Sequence, residues 1–433
     1  YQSLKPQIPD ADCSMAKTAV VACQSRWSCA FAGAWMTGEI LFLAHRLPFP
    51  PDRGDKIRSW NIVKALARIA PVHVAALYDV ADPGDVMATE LGQIATSLAL
   101  FAPRFGRIGA MAHALIGGHP ASVAAFQSTT LQNHVNRLLA RSSISTIYAY
   151  SGQMAQFVPP DRGKTRFVMD FVDMDSAKFA TYGAQKNGIA GFANRMEAKR
   201  LFAFEQAVAR RADLSLFVSE AEAGLFRRET GLDATCVKAL ENGIDLALFD
   251  PAQTYEPVGV GEGPLIVFTG QMDYAPNIEA VIGFAKRQLP AIRAACPTAQ
   301  FAIVGRAPTA AVKALATLDG VIVTGAVDDT RDWLAAAAVV VAPLKLARGI
   351  QNKVLEAMAM AKAVVASAAA AEGIDARPNR DFIVSDSPQA VIDLLGNPDR
   401  AASIGLAARA QMEARYSWAA RLASLPELMA MAP

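Results

Sequence analysis

Long apolar runs are missing from this sequence. No stretch reaches the roughly 18 consecutive apolar residues that a membrane-crossing helix needs, so no transmembrane helix is expected. Cysteine is scarce. Cys13, Cys23, Cys29, Cys236 and Cys296 are odd in number and lack zinc-site spacing, which predicts reduced thiols in a cytoplasmic protein. An excess of one charge is also missing. Forty-two Lys and Arg face 40 Asp and Glu, leaving +2, and no bulk electrostatic argument for a nucleic-acid partner survives. Histidine occurs only five times, so imidazole chemistry has few candidate positions. What is abundant is apolar content, 52%, laid out in short runs between helical patterns. That is the layout of buried parallel strands, and a chain of 433 residues holds two or three such domains.

Residues 1–36 stand apart. The segment from Thr18 to Trp35 is apolar but broken by Gln24, Ser25 and Arg26, too interrupted for the core of a signal peptide. Met36 directly precedes the first credible strand. The segment is therefore expected to be a poorly ordered extension, upstream sequence joined ahead of a start at Met36. A loose membrane-surface anchor is the other reading.

Glu39 to His45 reads as the first parallel strand, followed by a loop running to Arg58 that three prolines stiffen. Gly54 there would let backbone approach a ligand. His45, Arg53, Gly54, Asp55 and Arg58 are the polar candidates of this loop, against the plainer reading of a connector with solvated charges. A helix from about Lys56 to Ile69 has Ile57, Trp60, Ile62, Val63 and Leu66 as its apolar positions. Arg104 to Ile116 is basic and then amphipathic, either a packed helix or a patch for an anionic membrane. Asp170, Asp173 and Asp175 crowd the end of the strand Phe167–Asp170. Asp173 is the candidate for a polar contact to a substrate, and helix capping by Asp175 or Ser176 is the alternative. A long helix follows from Arg195, and Ser219 with Glu222 reads as a capping box.

Residues 251–264, with prolines and three glycines but no periodicity, read as a linker. The second domain opens on the strand Leu265–Thr269 and the loop Gly270-Gln271-Met272-Asp273. Arg306 follows a later strand and a glycine. The most informative stretch begins at the strand Val339–Ala342. A loop with Arg348 and Gly349 leads to a helix that starts near Asn352 and buries Val354, Leu355 and Met358. Loops of this kind lie at the carboxyl ends of parallel strands, where ligands bind. Free N–H groups at the helix start attract anions, Lys353 adds a cation, and Glu356 one turn on suits sugar hydroxyls. The alternative is a surface crossover with Lys353 solvated.

The segment Gly349-Ile-Gln-Asn-Lys-Val-Leu-Glu-Ala-Met-Ala359 and the junction Asn242-Gly-Ile-Asp245 resemble family 4 glycosyltransferases. Within that family the wording is most similar to the sugar transferases of PEP-CTERM/exosortase exopolysaccharide systems. The resemblance covers residues 39–433. It implies an α/β chain of two Rossmann-like, doubly wound parallel-sheet domains facing a cleft, the GT-B fold. The divisions it suggests are 37–250, 251–264 and 265–415, with a final helix, 416–433, packing back on the first domain. It implies a retaining hexosyltransferase that takes a nucleotide sugar to a lipid-linked exopolysaccharide precursor, needs no metal or other cofactor, and sits in the cytoplasm or on the inner membrane face. Donor-binding positions would be Gly270, Gln271, Arg306, Arg348, Gly349, Asn352, Lys353 and Glu356. Asp173 and Glu356 would be the catalytic positions.

The sequence departs from the family at four places. No histidine stands beside Asp173. Gln271 and Asp273 occupy the loop where cations are usual, and Arg348 stands where an acid is usual. Ala361 and Ala363 replace a usual Gly and Pro. Arg348 and Lys353 are expected to supply the missing phosphate charge. A sugar-nucleotide epimerase of the same fold and a catalytically inactive scaffold are the other functional readings.

Overall fold

The computed structural model describes residues 20–22, 38–51, 53–78, 91–103, 120–185, 187–346 and 350–430. The chain divides into two compact units. One takes the chain up to Ala239 together with the segment from Leu425, and the other is Leu240–Ser424. Arg348, Gly349, Arg104–Ile116, Cys13, Cys23, Cys29 and Met36 lie outside the described residues. Among the described residues no helix is long and apolar enough to cross a membrane.

The first unit is an eight-stranded sheet. Its strands are β1 (Val20–Ala22), β2 (Glu39–Ala44), β3 (Val72–Leu77), β4 (Ser97–Phe101), β5 (Ile144–Tyr150), β6 (Arg166–Val172), β7 (Leu214–Phe217) and β8 (Val237–Ala239). The order is β1-β4-β3-β2-β5-β6-β7-β8. Every pair is parallel except β1 on β4, so Val20–Ala22, within the expected extension, pairs at the sheet edge. The chain starts at β2, lays β3 and β4 to one side, then returns to build β5 to β8 on the other. β2 and β3 are buried almost throughout because helices cover both sheet faces.

Two local readings change. The long helix begins at Gly188, not Arg195, and a helix at Asp175–Gln185 precedes it. The two pack as a hairpin, so close that a Cβ on Gly183 would lie 2.7 Å from Arg195 Cγ. Ser219 does cap its helix, accepting the Glu222 N–H at 3.2 Å. The Glu222 carboxylate accepts the Met174 N–H at 2.9 Å instead of closing a capping box. The helix Leu425–Ala430 completes this unit. Leu425, Leu428 and Met429 are buried, and Arg166 of β6 donates to the Leu428 carbonyl at 3.3 Å.

The second unit is a six-stranded parallel sheet of β9 (Leu265–Thr269), β10 (Gln300–Val304), β11 (Val321–Gly325), β12 (Val339–Ala342), β13 (Val364–Ala366) and β14 (Ile383–Val384). Their order is β11-β10-β9-β12-β13-β14. Leu240–Asp250 belongs to this unit for identifiable reasons. The Ile244 N–H donates to Tyr416 at 2.7 Å, and Arg409 binds the carbonyls of Phe249 and Ala359 at 2.6 and 2.8 Å. Asn242-Gly243 is no free turn, since a Cβ on Gly243 would sit 2.5 Å from Trp418 Cα. The 251–264 stretch is fastened down as well. Tyr255, Val258 and Val260 pack on the core, and the Glu256 N–H donates to Asp332 at 3.0 Å.

The helix Asn352–Ala359 ends in a Schellman pattern. The Lys362 N–H reaches back to the Ala357 carbonyl at 3.0 Å and the Ala361 N–H to Met358 at 3.1 Å. Ala361 stands at φ 53°, the left-handed position that glycine would fill without a Cβ penalty. Ala361→Gly is therefore expected to stabilise the protein by about 1 kcal/mol, read as a higher urea midpoint at unchanged slope.

Candidate functional site

In a parallel sheet built outwards in both directions, a crevice opens where the direction reverses, beyond the carboxyl ends of the strands. In the second unit that point lies between β9 and β12. The loops after β9 and β10 are bonded to each other there. The Gly270 N–H donates to Val304 at 3.0 Å and the Met272 N–H to Arg306 at 2.9 Å. Gly270 has φ 158° and Gly305 φ 151°, and a Cβ on Gly305 would come within 1.7 Å of the Gly270 carbonyl oxygen. Only glycine permits backbones this close.

Lys353, from the first turn of the helix after β12, extends over the reversal point. Its Nζ donates to Asn277 Oδ1 at 2.6 Å and lies 4.2 Å from the centroid of the Phe268 ring. Asn277 belongs to the helix Ala275–Gly283 that follows β9, and its Nδ2 donates to the Gln271 carbonyl at 2.9 Å. A Cβ on Gly270 would meet Lys353 Nζ at 2.9 Å and Asn277 Nδ2 at 2.8 Å. The ammonium is thus held directly against the Gly270 backbone. Farther out, Lys345 pairs with Glu279 at 2.6 Å across the same point.

The electrostatics follow from burial. Desolvation lowers Lys353 to about 8, and Glu356 pulls it partly back. Desolvation raises Glu356, with Lys353 opposing. Among the described residues no donor bonds to the Glu356 carboxylate, and Gln351 offers the helix start no side-chain cap. A half-buried cation, a glycine-lined backbone turn and an unengaged carboxylate one helical turn away form a receptor for a polyanion carrying hydroxyls. Arg306, exposed at the rim, donates to Gln271 Oε1 at 3.2 Å. Gly270, Gln271, Arg306, Lys353 and Glu356 therefore come together, and Asn352 is the exposed first residue of the helix. Asn277 was not anticipated from the sequence. Its signal was a buried polar residue on the inner face of a helix one turn after a Gly-Gln loop.

In the first unit the reversal lies between β2 and β5. His45, just past β2, places Nε2 3.3 Å from Asp55 Oδ2, and its ring stacks on Tyr150 with centroids 5.9 Å apart. Arg46 Nη1 binds the same Asp55 oxygen at 2.7 Å. Burial alone would raise the Asp55 carboxyl, but His45 and Arg46 hold it well below the usual carboxylate range. His45 Nδ1 is buried without a partner. Arg53 and Gly54 are exposed at the helix start, and Gly54 has neither a positive φ nor any atom near a built Cβ, so close approach does not require a glycine there.

Arg58 is not a loop-side binding residue. It is 1% exposed, inside the unit, and its Nε and Nη2 grip Asp170 at 3.0–3.2 Å. Tyr148 donates to the same carboxylate at 2.8 Å, as does the Val172 N–H at 3.1 Å. Val172, a β-branched residue at φ 71°, is held in a conformation that such residues avoid. This bend sets the direction of the following loop. Asp173 and Asp175 both bind Lys178, at 2.6 and 3.2 Å. The aspartate cluster is thus engaged by cations on the chain itself.

Residues 263–397 match the family model described as glycosyl transferases group 1. No curated protein matches the chain. Among solved structures, sucrose-phosphate synthase from Thermosynechococcus elongatus is 18% identical with a TM-score of 0.57, over 90% of this chain and 98% of that one. HepE of Anabaena in complex with UDP is 16% identical with a TM-score of 0.57, over 90% and 99%. WaaG, a glycosyltransferase involved in lipopolysaccharide biosynthesis, is 16% identical with a TM-score of 0.55, over 90% and 98%. At these identities the likeness is one of fold, two Rossmann-like domains of the GT-B kind. The matched segment lies within the second unit.

The two aspartates should separate in a stability test. Asp170→Ala removes the buried carboxylate that Arg58 and Tyr148 grip and should cost about 3–5 kcal/mol in urea denaturation. Asp173→Ala breaks an exposed pair and should cost roughly 0–1 kcal/mol.

Proposed function

We propose that the second unit binds a nucleotide-sugar donor and that the protein transfers its sugar, with retention, to a lipid-linked exopolysaccharide precursor. The observation that carries the donor reading is the Lys353 ammonium held against Gly270 at the β9–β12 reversal. The diphosphate lies along Gly270 and Gln271, with Arg306 and Lys353 around it and the start of the Asn352–Ala359 helix behind, and Arg348 is a further source of positive charge. Gly349 and Asn352 shape the approach. Glu356 takes sugar or ribose hydroxyls. HepE of Anabaena has been solved with UDP and with UDP-glucose, so a uridine donor is the first to try here.

The chemistry is charge stabilisation. As the glycosidic bond breaks, charge builds on the leaving diphosphate, and cations fixed beforehand lower that barrier without reorganising. No metal is needed for this role when the side chains supply the charge. The leaving phosphate acts as base towards an acceptor on the same face. His45, Asp55 and the exposed Arg53 form the acceptor side, and Asp173, paired with Lys178, contacts the acceptor or the sugar. The exopolysaccharide role, and the kinship with PEP-CTERM/exosortase systems, rest on the wording of the 349–359 segment. A lipid-linked acceptor places the protein in the cytoplasm at the inner membrane face.

Incubation with a panel of nucleotide sugars separates the readings. Slow release of nucleoside diphosphate marks a transferase, an isomerised donor marks an epimerase, and the absence of binding marks a scaffold. Glu356→Ala should weaken donor binding about tenfold or more, since a hydrogen bond to a charged group is worth roughly 1.5–3 kcal/mol. Calorimetry showing unchanged affinity would remove Glu356 from the site. Lys353 gives a pH signature. It is protonated below about 8 and neutral above. Nucleoside diphosphate affinity should therefore be level from about pH 7 to 8, where the terminal phosphate stays ionised, and fall above that, approaching tenfold per unit. In Lys353→Gln the affinity should be low and flat over the same range.

A further inference from the structure

The hairpin of Asp175–Gln185 and Gly188–Arg211 ends in a tip that the rest of the protein does not use. Ile189 is 89% exposed, Phe192 58% and Tyr182 49%. Ile189 and Phe192 are three residues apart on one helix and share a face. Tyr182 comes from the facing helix, one residue before the Gly183–Arg195 crossing, with Phe179 edge-on to it at 6.4 Å. Side chains of this size are normally covered, and three at one end of a hairpin form a patch that calls for an occupant.

The charges around the patch indicate which occupant. From Ser176 to Met196 the sequence has no acidic residue. Arg195 is exposed on the flank, and its guanidinium spends one N–H on the Gly183 carbonyl at 2.7 Å. The acids that bound the hairpin are engaged elsewhere. Asp175 holds Lys178, and Glu197 accepts the N–H groups of Ala121 and Ser122 at 2.9 Å. Glu205, in the interior, is pushed by burial to about 7 against hydrogen bonds from Ser176. The tip is therefore apolar and free of negative charge. A second copy of the chain fits poorly, because one isoleucine and two aromatics that are already partly covered fall well short of the roughly 800 Å² per partner of a stable dimer.

We infer that this tip docks on an anionic lipid surface, with Ile189 and Phe192 entering the acyl boundary, Tyr182 at headgroup level and Arg195 against lipid phosphates. The inference stands on the hairpin surface alone and is independent of the donor site.

The test is cosedimentation of the full chain with phosphatidylcholine vesicles, with and without phosphatidylglycerol. Binding is expected to the anionic vesicles and to weaken at high salt. Ile189→Ser with Phe192→Ser should weaken it at least tenfold while leaving the thermal melt unchanged, since both side chains face solvent. Equal binding by the double variant overturns the inference, as does failure of the natural sequence to bind. Dimers in the ultracentrifuge that the double variant loses would assign the patch to self-association and overturn it too. Nucleoside diphosphate affinity, measured alongside, should be the same in both proteins. Its loss would show damage to the second unit instead of loss of docking.

Discussion

A cation withdrawn from water has to be held by something, and the geometry around Lys353 is arranged to do that. Its ammonium keeps one strong acceptor, Asn277, and the face of one aromatic ring, Phe268. Neither neutralises it. Glu356, the carboxylate one helical turn on, is itself raised by burial. The glycines follow from this constraint. Gly270 has no Cβ because the ammonium and the Asn277 amide occupy that space, and Gly305 has none because the Gly270 carbonyl does. Remove the lysine and the loop has no reason to be so tight. Place a side chain at either glycine and the lysine cannot reach.

The two units use the same sheet plan to different electrostatic ends. At the reversal point of the first, Arg46 pairs with Asp55 and His45 lies 3.3 Å from the same carboxylate oxygen, so that carboxylate is met within the protein. At that of the second, a cation faces inward without a carboxylate bonded to it. One point is largely self-satisfied and suits a polar partner. The other is undercharged on the negative side and suits an anion. The ion pair of Arg58 with Asp170 belongs to neither crevice and serves the bend at Val172.

Much of the fold was legible because buried parallel strands leave short apolar runs. Leu265–Thr269 and Val339–Ala342 appear where the sequence placed them. The helix at Asp175–Gln185 was not legible, because its few large side chains make no buried apolar stripe: Phe179 is half-buried and Tyr182 is exposed. Arg58 was misread for the opposite reason. A charged residue on an amphipathic helix is normally solvated, and only its distant partner, Asp170, explains why this one turns inward with Lys56 and Ser59. In the candidate site, Lys353 and Glu356 could be named from their positions in one helix. Asn277 could not, because its role arises from a contact across 76 residues of chain. The Asp55 pairings were hidden in the same way by a loop whose path no periodicity describes.

The first unit is interrupted in sequence, since Leu425–Ala430 belongs to it while Leu240–Ser424 does not. On the ribosome this imposes an order. When β8 emerges, the unit still lacks its last helix, and the surface destined for Leu425, Leu428 and Met429 stays bare during translation of the entire second unit. At typical elongation rates that interval is on the order of ten seconds or more, long for exposed apolar surface. The second unit is continuous and can close first. Nascent chains of this protein should therefore depend on holding chaperones for one half far more than for the other.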